Sequence, residues 1–177
     1  MPLVTKELVA SLVWDRRSQV HQTQGEVIEK LGDPHQFFSF DEEITAGARY
    51  VFIQGPYGSY VPVVKQLLAM HDSERPLLIY WFQQNLMLWK PDWFLKALSG
   101  WFSDLAWLER SPQVQQWRDK LLPLFHRRGS RFASLGNIFW LKQQNLLGTL
   151  GVSATYYADY LRQHGIQTQV VPRGYHP

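Results

Sequence analysis

Two short stretches combine residue types that could hold a small polar ligand. The first is Gly55-Pro56-Tyr57-Gly58-Ser59. It follows the apolar run Tyr50 to Ile53 and precedes a helical pattern beginning at about Ser59. Glycines at such a turn let backbone N–H groups approach an anion or a sugar at the start of a helix. The stretch is neither a Walker loop nor G-x-G-x-x-G, and a plain strand–helix turn accounts for it equally well. The second is Gln83-Gln84-Asn85, directly after the apolar run Leu77 to Phe82. Three side-chain amides supply donors and acceptors together, which suits hydroxyl recognition as well as it suits a solvated loop. Gly55, Tyr57, Gly58, Ser59, Gln83, Gln84 and Asn85 are therefore the expected substrate-binding residues, with no catalytic residue assigned.

Other chemistries find little footing. The six histidines are scattered, with no pair four residues apart and no H-E-x-x-H, so no metal is expected. There is no cysteine, hence neither a disulfide nor a thiolate site. No G-x-S-x-G elbow occurs, which disfavours a hydrolase. No cofactor is expected. Arg16, Arg17, Arg127, Arg128 and Arg131 suit a phosphate, or simply a solvated face.

The elements that must position these residues alternate. Apolar runs predict strands over Glu7–Trp14, Gln36–Phe40, Tyr50–Ile53, Leu77–Phe82, Leu147–Val152 and Ile166–Val171. Helices are expected from Ser18 to Leu31 and from Ser59 to about His71, the latter with Val61, Val64, Leu67 and Leu68 on its apolar face and Lys65 and Gln66 opposite. Another runs from Asp92 to Leu108, with Phe94, Ala97, Leu98, Trp101, Leu105 and Leu108 inward and Trp107 outward. Ser111 and Pro112 open a helix to about His126, kinked or shortened by Pro123. A basic loop, Arg127–Arg131, separates it from a helix near Leu135–Gln144. Ser153 is the expected cap of a last helix whose apolar face carries Tyr156, Tyr157, Tyr160 and Leu161, closed by Gly165. Strands alternating with helices predict a single α/β domain, doubly wound, with a mostly parallel sheet covered on both faces.

The 177 residues carry a net charge of +3, distributed unevenly. Residues 1–90 hold 8 Lys/Arg against 10 Asp/Glu, and residues 91–177 hold 10 against 5. No basic recognition helix or RNP-like motif accompanies this, so no nucleic acid is expected. Five of the eight tryptophans fall between Trp81 and Trp107, which suits a core, an interdomain surface or an interfacial helix. No signal peptide is evident, and no apolar run approaches the roughly 20 residues of a membrane span. The expected location is cytoplasmic, with a membrane-peripheral variant.

From Arg131 onward the order of parts resembles the end of the N-terminal Rossmann-like domain of a GT-B glycosyltransferase. The resemblance rests on Ser153, Leu161, Gly165, Pro172, Gly174, Tyr175 and Pro177 and is specific over about the last quarter of the chain. It implies a two-domain enzyme whose C-terminal half holds most of the nucleotide-sugar donor and whose N-terminal half presents the acceptor. This chain then corresponds to the acceptor-side half, inactive alone, with Arg173, Gly174, Tyr175 and His176 leading into an interdomain linker. Two features depart from the family. Trp14-Asp15-Arg16-Arg17 lacks the glycine-rich loop frequent after the first strand, and Gln83-Gln84-Asn85 stands where many retaining members place a histidine. The alternative is a non-catalytic Rossmann-like module that meets a protein or a membrane through its tryptophan-rich face.

Overall fold

A computed structural model describes residues 8–12, 35–38, 42–44, 46–54, 61–82 and 92–171. Six strands form one sheet: β1 Leu8–Leu12, β2 His35–Phe38, β3 Ala48–Gln54, β4 Leu77–Phe82, β5 Leu147–Val152 and β6 Thr168–Val170. Their order is β2-β1-β3-β4-β5-β6, and every neighbouring pair is parallel. The chain steps to one side from β1 to β2 and to the other from β3 onward. The order therefore reverses between β1 and β3, the kind of place where parallel sheets open a crevice.

The two sides of the sheet differ in burial. Val51, Ile53, Leu78, Tyr80, Phe82, Leu150 and Val152 are buried on one side. Their register neighbours on the other side, Phe52, Ile79, Trp81 and Thr149, are only half-buried. The continuous apolar runs predict strands buried equally on both faces. The structure corrects this: the alternation is there, but between fully and partly covered positions.

Four helices are described: α1 Val61–Ala69, α2 Asp92–Phe102, α3 Pro112–Gln143 and α4 Thr155–Gln163. In α1 the buried residues are Val63, Val64 and Leu67, whereas Leu68 is exposed. Gln66, expected on the outer face, is half-buried because its amide is used. It accepts the Ile44 N–H at 2.9 Å and donates to the Glu42 carbonyl at 2.8 Å, pinning the approach to β3.

The largest correction concerns α2. It ends at Phe102, and it buries Leu95 and Ser99 while leaving Trp101 58% exposed. Ser99 meets Gly136 of α3 so closely that a Cβ on Gly136 would overlap the Ser99 carbonyl oxygen. The interface between these helices is built from small residues that let the backbones approach. The face that is buried is thus neither large nor strongly apolar, and hydrophobic periodicity selects the wrong side. Beyond Phe102 the buried Asn137 side chain holds the turn. Its Oδ1 accepts the Ser103 hydroxyl at 2.7 Å and the Leu105 N–H at 3.1 Å. Leu105 is buried as expected, but from this turn rather than from a helix. Trp107 is half-buried, donating its indole N–H to the Trp101 carbonyl at 2.8 Å.

α3 is one helix of 32 residues, so residues 127–131 are helical rather than the expected loop. Ser111 does precede it, with Pro112 in the first turn, although the serine makes no side-chain cap bond. A straight helix of this length spans about 48 Å. Yet the Gln144 amide donates to the Glu109 carboxylate, and Pro112 is only three residue steps, at most about 11 Å of chain, beyond Glu109. The two ends of α3 therefore lie within roughly 25 Å of each other, and the helix is sharply bent. Its sequence contains Pro123, Gly129 and Gly136, residue types at which helices bend.

α3 and α4 end in the same way. After α3, Asn145 takes φ 55°, its N–H bonds the Lys142 carbonyl, and the Leu146 N–H bonds the Leu141 carbonyl. After α4, Gly165 takes φ 69°, with matching bonds to Arg162 and from Ile166 to Leu161. Each is a Schellman motif that delivers a buried apolar residue, Leu146 or Ile166, ahead of the next strand. Gly165 stands where the sequence predicts. The start of α4 does not: Ala154, with no side-chain cap bond, is the N-cap instead of Ser153, and Tyr156 is exposed.

Candidate functional site

Parallel register brings the carboxyl ends of the strands to one rim. Gln54 at the end of β3 lies opposite Trp81, and Phe82 at the end of β4 lies opposite Val152 at the end of β5. The chain therefore leaves β3, β4 and β5 at the same edge. Of the expected site residues, Gly55, Tyr57, Gly58, Ser59, Gln83, Gln84 and Asn85 lie outside the described residues. So do Arg173, Gly174, Tyr175 and His176. What is described is the platform from which the first two groups depart.

That platform is aromatic. Phe52 and Trp81 meet edge to face on the half-buried side of the sheet, with ring centroids 6.5 Å apart. Gly151 of β5 lies beside Trp81, and a Cβ there would stand 3.1 Å from Trp81 Cδ1. A side chain in place of that hydrogen would press on the indole. On the opposite side Tyr80 and Phe82 make a second edge-to-face pair, at 5.9 Å and buried. Aromatic faces such as these offer an apolar surface against which a ring can stack. Sequence reading marks the amides but misses the platform, since Phe52, Trp81 and Gly151 come from three strands and share no local pattern.

A polar cluster joins the start of α2 to the end of α4. Asp92 Oδ1 accepts the Tyr160 hydroxyl at 2.8 Å and lies 3.1 Å from His164 Nε2, while Oδ2 pairs with Lys96 at 2.8 Å. The hydrogen bond from Lys96, followed by that from Tyr160, holds the Asp92 carboxyl below its ordinary range. Burial, then the bond to Asp92, pushes the Tyr160 hydroxyl well above its own. His164 Nδ1 lies 2.9 Å from the Tyr160 carbonyl, and its ring leans on Phe139. A carboxylate in the first turn of a helix is electrostatically favourable, and the cluster clasps two helices. It belongs to the amino edge of the sheet, since α4 leads from it into β6. No spacing signal announces it, because its partners are 68 and 72 residues apart.

No group of three or more His, Asp or Glu that could hold a metal occurs among the described residues. No described helix is long and apolar enough to cross a membrane. Comparison of the sequence with models of known protein families and with characterised proteins finds no match.

Proposed function

We propose that this chain is the acceptor-side domain of a GT-B-type glycosyltransferase, with the rim at the ends of β3, β4 and β5 as its acceptor site. The observation carrying this reading is where the family-like residues fall. Ser153 follows β5 directly, Leu161 is buried in α4, and Gly165 ends that helix at positive φ ahead of β6. The aromatic platform beneath the rim adds a surface on which a sugar ring can lie, with Gln83, Gln84 and Asn85 as hydroxyl partners. β3, β4, β5 and β6 follow one another in one direction across the sheet, which with right-handed crossovers supports α1 to α4 sharing one face. The domain is on this reading doubly wound, and the crevice at the order reversal borders the acceptor rim at the end of β3.

The domain presents an acceptor but transfers nothing by itself, because the donor nucleotide sugar is held mainly by a second domain. Arg173 to His176 then form the path toward that domain. The assay is direct: the purified 177-residue protein is incubated with nucleotide sugars, and release of nucleotide is followed. Turnover is expected to be absent, with donor binding weaker than about 1 mM, equivalent to roughly 4 kcal/mol. Robust turnover would overturn the half-enzyme reading. The exposed tryptophans of α2 favour a second reading, a docking module.

A further inference from the structure

We propose that the outer face of α2, with the first part of α3, is a docking surface for an anionic lipid bilayer. Trp93 is 71% exposed, Trp101 58% and Trp117 69%. At 100° per residue, Trp93, Ala97, Gly100 and Trp101 fall within one sector of about 100° on α2, and all four are exposed. Val114 and Trp117, three residues apart on α3, are exposed together. Trp93 packs edge to face on Phe94 at 5.7 Å and Trp101 on Trp107 at 5.8 Å, yet each keeps most of its indole in solvent, and such rings gain most from being covered.

Charge selects the occupant. Residues 92–143 hold 8 Lys/Arg against 4 Asp/Glu, a net of +4, whereas the remaining residues hold 10 against 11, a net of −1. The molecule's excess positive charge thus lies in the same pair of helices as the exposed tryptophans. From Trp93 to Ser103 the only charged residue is Lys96. Exposed indole rings together with basic residues in the same segment of chain are the components of an interfacial anchor on anionic lipid. Trp93 and Trp101 are about 12 Å apart along the helix axis, so a helix lying parallel to the surface places both at one depth. A helix of 11 residues has no length to span a bilayer, and it is therefore read as lying on it.

The test is flotation of the intact 177-residue protein with vesicles of phosphatidylcholine alone or mixed with phosphatidylserine, at low and high salt. Binding is expected to the mixed vesicles only, and salt is expected to reduce it. Vesicles with brominated acyl chains should quench the tryptophan fluorescence of the bound protein. The Trp93→Ala/Trp101→Ala double variant should lose about tenfold or more in binding and most of the quenching. Both side chains are mostly exposed, so its Tm should fall by no more than a few degrees through the lost contacts with Phe94 and Trp107; Trp93→Ala alone gives a second reading should the double variant fold poorly. Absence of binding to either vesicle overturns the proposal. So does equal binding to neutral and anionic vesicles, which removes the charge argument. Undiminished binding by a folded double or single variant does the same, leaving basic charge without the tryptophans.

Discussion

Gly136 shows how much one hydrogen atom decides. Ser99 and Ser103 bury against it, and the Asn137 side chain ties down the turn that follows. A methyl group at Gly136 meets backbone at Ser99 rather than the end of a flexible side chain, so the helices must separate to admit it. Gly136→Ala is expected to destabilise by about 1–3 kcal/mol, despite the better helix propensity of alanine. Gly100→Ala is the internal control: nothing lies within 4 Å of its Cβ position, so it should stabilise by about 0.5–1 kcal/mol. Urea titration of both variants measures the pair, and losses of equal size would show that the α2–α3 contact is looser than described. The same interface explains why Trp101 faces outward. Periodicity reads hydropathy, and here the buried side of the helix is Leu95 and Ser99, continued by Ser103 in the turn.

At the scale of elements, strands are the legible part. β4 and β5 coincide with their expected runs, each of six residues and each followed by a polar residue, Gln83 or Ser153. β3 and β6 differ only at their ends. Helices are read less well wherever a polar side chain is recruited inward, as with Gln66 in α1, or wherever small residues form the contact. Pro123 marks a departure from straight helix in the sequence, but the pattern around it places a loop at 127–131 where the helix continues. Spin labels at Gln113 and Gln143, both exposed, test the bend. Electron–electron distance measurement should give less than about 30 Å, against about 45 Å for a straight helix of that span. The longer distance would refute the bend and with it the Glu109–Gln144 contact.

For the molecule as a whole, parallel strands were legible from strand–helix alternation, and the common rim follows from them. The aromatic platform was not legible, because it is assembled across β3, β4 and β5 by register. The clasp of Asp92, Tyr160 and His164 was equally hidden, by its separation in sequence. These features divide the molecule into a rim with an aromatic platform, a clasped amino edge, and a tryptophan-bearing helical face. The central claim is that the rim holds the acceptor, and it is tested most directly by mapping amide chemical shifts while a panel of glycan acceptors is titrated in. An acceptor is expected to perturb the amides of Gln54, Trp81, Phe82 and Ser153, leaving those of Lys142 and His164 unmoved. Perturbation centred on Lys142 and His164, with the rim amides silent for every acceptor that binds, would contradict the account.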